Sequence, residues 1–326
     1  MKTQISSFAL AAGLLGTASL AAHAADYHAL KEITIGGQGR FDYLTVDAAN
    51  RRLYVSHGSS AVVIDIDKDT IIGSISNTPG IHGIAFIPDL GIGFTSNGGE
   101  SKVSLFDLKT LETKTKIETG ANPDWIMYEP GQGEVYTFNG RGNSSTVIDP
   151  KAAKVVATIP LGGKPETAVA DPRVGRVYDN IEDKNSIAVI DTKTHTVVAN
   201  WPIAPGGGAS GMAFDAEHHR IFIGCSEPPV MEMIDSASGK VVGSVPIGAG
   251  VDANAFDPGT QLAFASCGGS GGTVTIAHED APDKLTIVQT LKTQPGARTM
   301  TVDTKTHKIY LAVGQNESFK VLVYGM

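Results

Sequence analysis

Charge is scarce in this chain: Asp, Glu, Lys and Arg make up 18% of its 326 residues, and aromatic residues only 6%. Lys and Arg number 26 against 34 Asp and Glu, a formal net charge of −8. A nucleic-acid partner is therefore not expected, because phosphate binding needs clustered basic residues. Low charge together with 41% hydrophobic residues excludes a disordered chain. There are two cysteines, so neither a disulfide-rich scaffold nor a Cys-rich zinc module is present. Motifs of common enzymes are missing too: there is no His-Glu-x-x-His and no P-loop, and the Gly-x-Ser-x-Gly pattern at Gly268–Gly272 falls in a run of glycines that reads as a loop rather than a nucleophile elbow.

Long hydrophobic runs are absent beyond the first residues. Residues 1–24 read as a signal peptide: Lys2, an apolar run from Phe8 to Ala22, then Ala22-His23-Ala24 with small residues where a signal peptidase cuts. The run is short for a membrane span, which needs about 20 residues. The expectation is a periplasmic or secreted protein with a single domain over 25–326, no membrane span after cleavage, and a monomeric state.

What the chain has in excess is glycine, 38 residues, and a repeat. A polar residue, a short apolar run, a turn and an aromatic-containing run recur seven times. Asp42-Tyr-Leu-Thr-Val-Asp47 with Arg52-Leu-Tyr-Val55 is the first copy. Arg298-Thr-Met-Thr-Val-Asp303 with Lys308-Ile-Tyr-Leu311 is the last. The copies start at 42, 82, 124, 166, 210, 252 and 298. A third segment ends in Asp, as in Val62-Val-Ile-Asp65 and Thr146-Val-Ile-Asp149, and a fourth follows a Lys/Thr/Ser-rich turn. Segments of four to seven residues, rich in Val, Ile, Tyr and Phe and bounded by Gly, Asp and Pro, are strands. Four antiparallel strands, repeated seven times, predict an all-β, seven-bladed β-propeller. The last copy has no fourth strand of its own. His28-Ala-Leu-Lys-Glu-Ile-Thr-Ile35 resembles a fourth strand, so the N-terminal strand should close the last blade.

The second-strand phrases Leu53-Tyr-Val-Ser-His57, Phe94-Thr-Ser-Asn97 and Tyr136-Thr-Phe-Asn139 resemble the Tyr-Val-Thr-Asn (YVTN) repeat of the YncE-like seven-bladed propellers. The resemblance spans 25–326 and implies the fold. It implies no particular activity, because a fold hosts many functions.

Propeller geometry predicts two rings at one channel mouth, since the first strand begins where the antiparallel second strand ends. The first ring is Asp42, His82, Asp124, Glu166, Ser210, Asp252 and Arg298. The second is His57, Asn97, Asn139, Asn180 or Ile181, Cys225, Cys267 and Val313. Asp42, His57, His82, Asn97, Asp124, Asn139, Glu166, Asp252 and Arg298 are thus the candidate ligand-binding residues. Arg298 is expected beside Asp42, with Glu166 and Asp252 across the axis. Crowded carboxylates call for positive charge, and imidazole with carboxylate suits Zn, Cu, Ni or Fe. His57, His82, Asp42 and Asp124 are the candidate set for a single divalent cation. Cys225 and Cys267 occupy one column of consecutive blades, and a disulfide between them is one expectation, two separate buried thiols another and shared metal ligands a third. His195, His218, His219 and His307 fall in turns at the blade rims and are read as turn residues.

Two functions follow. The first is a binding or scaffold protein that holds a small polar ligand or a protein partner at the mouth. The alternative is a hydrolase similar to metal-dependent propeller lactonases, whose cation is held by Glu, Asn and Asp. By ring position that resemblance implies Glu166, Asn97, Asn139 and Asp252 as ligands, with Asp124 or His82 as general base.

Overall fold

A computed structural model describes residues 25–314 and 316–326; the segment read as a signal peptide lies outside the described residues. Seven four-stranded antiparallel sheets form the molecule. Blade 1 spans 41–75, blade 2 81–118, blade 3 123–160, blade 4 165–202, blade 5 209–246 and blade 6 251–292. Blade 7 takes Met300–Asp303, Lys308–Val313 and Lys320–Gly325 from the C-terminus and His28–Thr34 from the N-terminus. His28 pairs with Gly325 and Thr34 with Lys320, so the ring closes as expected. The closing segment is also anchored by Tyr27, whose hydroxyl donates to the His307 carbonyl at 2.7 Å and whose ring meets Phe264 edge-on.

The repeated Asp at the end of the third strand builds its own turn. Asp107 Oδ1 accepts from the backbone N–H groups of Lys109 and Thr110, and Asp191 does the same for Lys193 and Thr194. A short acidic side chain that bonds its own backbone two and three residues on favours a turn over a continued strand.

Burial peaks on the second and third strands of each blade and falls off at the fourth. One aromatic column on the second strands, Tyr54, Phe94, Tyr136, Tyr178, Phe222, Phe264 and Tyr310, is buried in every blade. The core lies between consecutive blades; one cluster joins Tyr310 and Val323 of blade 7 to Leu53 and Val62 of blade 1. Outer strands are wet, and Val155 and Val156 stay exposed. Each buried aromatic contributes about 1.5–3 kcal/mol of apolar transfer energy, so the inner strands hold the ring together.

Candidate functional site at the channel mouth

A β-bulge shapes the mouth. In blade 1, Phe41 pairs with His57 and Leu44 with Val55, so Asp42 and Tyr43 together oppose Ser56. The same extra residue occurs at the start of blades 2 to 6. A bulge leaves one residue unpaired and re-aims side chains. Here it frees Asp42, His82, Asp124, Glu166, Ser210 and Asp252. The freed backbone is satisfied from the second strand: Ser56 Oγ accepts from Asp42 N, and Ser96 Oγ from Gly83 N, each at 2.8 Å.

Three first-ring residues converge. His82 Nδ1 lies 2.6 Å from Asp42 Oδ2 and 3.3 Å from Asp124 Oδ1. One donor atom from each of the three can be chosen so that all lie within 4.8 Å, a set that could hold a divalent ion. Asp124 Oδ1 is buried and accepts no hydrogen bond. Burial, with the charge of Asp42, pushes the Asp124 carboxyl up to about 7 despite the nearby imidazole. Burial opposes charging of His82, but the Asp42 hydrogen bond and the Asp124 charge outweigh it, and its pKa is raised.

Glu166 is pushed up to about 8 by burial and by Asp124, against the pull of Lys164. Lys164 Nζ stands 3.4 Å from Glu166 Oε2 and also pairs with Glu182. Asp252 is raised by burial and by Asp42, and Ser210 Oγ donates to it at 3.0 Å.

Arg298 does not sit on Asp42. Its Nε lies 2.6 Å from Asp252 Oδ2, and its guanidinium lies 5.6 Å from the centre of the Phe41 ring. The chain does reach blade 1, where Thr299 Oγ1 donates to the Asp42 carbonyl at 2.7 Å, but the Arg298 side chain turns back to blade 6. The Asp42 carboxylate is left to His82.

The second ring does not share the mouth. With Ile181 as its member in blade 4, each of its residues in blades 1 to 6 pairs with the residue before the first-ring residue, as Phe41 with His57, Ile81 with Asn97 and Pro123 with Asn139, whereas Asn180 opposes the bulge and donates to Thr167 Oγ1 and the Ser210 carbonyl. Directly paired residues share a sheet face, and that face is turned away from the bulge side chains. His57 stacks on Phe319 at 4.2 Å between blades 1 and 7, and desolvation lowers its pKa. It takes no part in the Asp42–His82–Asp124 group. Asn97 donates to Ser104 Oγ and Glu100 Oε1 within its own blade, and Asn139 donates to Ser144 and Thr146. The lactonase-like ligand set of Glu166, Asn97, Asn139 and Asp252 is therefore not assembled.

The cysteine column follows the same rule. Both thiols are free and buried. Cys225 packs with Val189 and Met212 between blades 4 and 5, and Cys267 with Met231 and Val251 between blades 5 and 6. One column of consecutive blades thus faces successive interfaces. Packed sheets stand about 10 Å apart, whereas a disulfide needs Cα atoms within about 7 Å.

The repeat pattern did not disclose Tyr43 or Asp179. Tyr43 crosses the axis, meets Trp125 edge-on at 4.8 Å and donates to Glu166 Oε1 at 3.2 Å. It lines, with Trp125, Thr167, Asn254 and Phe256, a partly open cavity of about 210 Å³. Asp179 is fully buried, neither of its oxygens accepts a hydrogen bond, and burial with the Glu166 charge holds its pKa well above the carboxylate range. The repeat phrase marks first-strand starts, and neither residue stands at one.

No protein-family model matches the chain, and no curated protein matches it. Among solved structures, hydrazine synthase of Kuenenia stuttgartiensis is similar, with a TM-score of 0.76 and 16% identity over 87% of this chain and 95% of that one. Likeness at that identity shows the fold alone, and 1683 solved chains match, so the architecture is widespread. The seven-bladed propeller is established, and the narrower YVTN-repeat family stands as a resemblance.

Proposed function

We propose that this protein is a binding or scaffold propeller that holds a polar, positively charged group at the mouth formed by Asp42, His82, Asp124, Glu166 and Asp252. The group belongs to a small molecule or to an exposed basic side chain of a partner. The observation that carries the reading is the buried Asp124 Oδ1, which accepts no hydrogen bond although His82 stands 3.3 Å away. Arg298 and Lys164 are committed to Asp252 and to Glu166 with Glu182, and His82 engages Asp42 at 2.6 Å, so Asp124 is left to the incoming charge. A cation there would lower the Asp124 and Glu166 pKa values and release protons. The Tyr43–Trp125 pair beneath supplies aromatic surface suited to an organic ammonium or guanidinium group. The N-terminal segment supports export, and we place the protein in the periplasm or outside the cell, as a monomer.

Calorimetry with divalent ions and with small amines, run in two buffers of different ionisation enthalpy, tests this. Binding should release protons near neutral pH and weaken at least tenfold in Asp124→Asn. Unchanged affinities in both Asp124→Asn and His82→Ala would sink the reading.

A further inference from the structure

On the opposite face of the ring, the ends of the first strands form a second circle of acids. Asp47, Glu129, Asp171, Asp215, Asp257 and Asp303 are all buried there. Where an aspartate needs help, the turn of the following blade often supplies a base. Arg51 Nη1 lies 2.8 Å from Asp303, His307 Nδ1 2.6 Å from Asp257, and His219 Nδ1 3.5 Å from Asp171. All three bases occupy one position of the repeat and share a positive φ. At the junction of blades 5 and 6 that position is Gln261, which brings no charge to Asp215.

A second acid enters at this junction. Glu279 N donates to the Gln261 carbonyl, as Ile66, Leu108, Thr192 and Ser236 do to the matching carbonyls of their blades. Sister blades thus place Ile, Leu, Thr or Ser where blade 6 places a buried glutamate. Neither Glu279 oxygen accepts a hydrogen bond. A third exception completes the group: His218 stands where blades 6 and 7 carry Thr260 and Thr306, whose hydroxyls donate to Asp257 and Asp303. His218 Nδ1 is 2.7 Å from Asp215 Oδ2 and 3.5 Å from Glu279 Oε1, yet it makes no well-formed hydrogen bond.

We propose that Asp215, His218 and Glu279 form a divalent transition-metal site of the Zn²⁺ class that ties blade 5 to blade 6. A tetrahedral Zn²⁺ ion with bonds of about 2.0–2.2 Å sets neighbouring donor atoms about 3.3–3.6 Å apart; His218 Nδ1 and Glu279 Oε1 stand 3.5 Å apart, and the 2.7 Å between His218 Nδ1 and Asp215 Oδ2 must open to admit the ion. One imidazole nitrogen with two carboxylate oxygens suits a first-row ion better than Ca²⁺ or Mg²⁺, which take oxygen alone. The ion would supply a partner to the buried Glu279 carboxyl, which stands beside the Asp215 carboxylate. Arg220 acts on Glu279 from nearby, but its guanidinium is engaged by Asp235 at 2.7 Å and by the Pro282 carbonyl. The side chains of Asp215 and Glu279 are closed off while His218 is 29% exposed, so solvent reaches the site on the imidazole side. A cavity of about 470 Å³ lined by His218, His219 and Arg220 opens there. The site is independent of the channel mouth.

The test uses the whole chain after Ala24. Stripped with EDTA and titrated with Zn²⁺, it should bind one equivalent at this site and gain several degrees in melting temperature. Glu279→Thr and His218→Thr restore residues that sister blades carry, so both fold; each should weaken this equivalent at least thirtyfold and remove the thermal gain. Asp124→Asn, which disables the mouth, should leave it intact. Anomalous diffraction at the zinc edge on the unaltered protein should place a peak against His218 Nδ1. No Zn²⁺-dependent thermal gain, or a gain that persists in both threonine variants, or anomalous density only elsewhere, would each overturn the assignment.

Discussion

The Tyr43 hydroxyl of blade 1 donates to Glu166 Oε1 of blade 4 at 3.2 Å, so one side chain spans the channel between two blades that are not neighbours and lines the cavity there. Tyr43→Phe keeps the aromatic ring and leaves a buried carboxyl short of a donor. It should destabilise by about 1 kcal/mol. Tyr43→Ala opens the axis and should cost about 3–5 kcal/mol, as large aromatic truncations do. Urea unfolding of the three proteins checks the order. An alanine variant as stable as the phenylalanine variant would show that the ring does not fill the axis.

Stability should fall as pH rises from 5 to 8.5. Asp124 and Glu166 have folded pKa values raised to about 7 and about 8, above those of the unfolded chain. The native state therefore holds more protons in this interval, and that contribution is present in acid and lost as pH passes the folded values. His82, also raised, acts with the same sign. Melting temperature against pH should flatten in the Asp124→Asn, Glu166→Gln double variant. A wild-type profile that rises through this range would contradict the mouth electrostatics.

Deleting residues up to Gln38 removes the outer strand of blade 7 together with Tyr27. The strand Lys320–Gly325 would then expose a row of unpaired backbone groups, a template for association. Aggregation or a large loss of melting temperature is expected by light scattering and calorimetry. A truncated chain that melts like the full one would disprove closure by this strand.

Both thiols should be present and slow to react. Burial pushes Cys225 up to about 12, with Glu232 adding to it, and burial pushes Cys267 up to about 11. Thiolate is the reactive form. Non-reduced mass spectrometry should show no link, and alkylation should reach two thiols only after denaturation. Fast labelling of the native protein would contradict the burial.

The blade count, the strand order within each blade and the closing role of His28–Thr34 were legible because each blade repeats one hydrophobic pattern, and the pattern reports burial directly. The starts of the first strands in blades 1 to 6 stand at a fixed place in that pattern, whereas Arg298 precedes its strand, Met300–Asp303, and turns to Asp252. His57, Asn97, Asn139, Cys225 and Cys267 were assigned to the wrong face because strict alternation was carried across a bulge that puts two residues opposite one. His218 was read as a turn residue, which it is, but its nearness to Glu279 links positions 61 residues apart in sequence.

Local pattern by itself determined the architecture of this protein, because strand faces and Asp-built turns are short-range consequences of side-chain size and polarity. Only the tertiary structure decided which polar residues meet. Asp42 joins His82 rather than Arg298, and Asp215 receives Glu279 from the following blade where Asp171, Asp257 and Asp303 receive a base, because those choices depend on one inserted residue per strand and on how neighbouring blades abut.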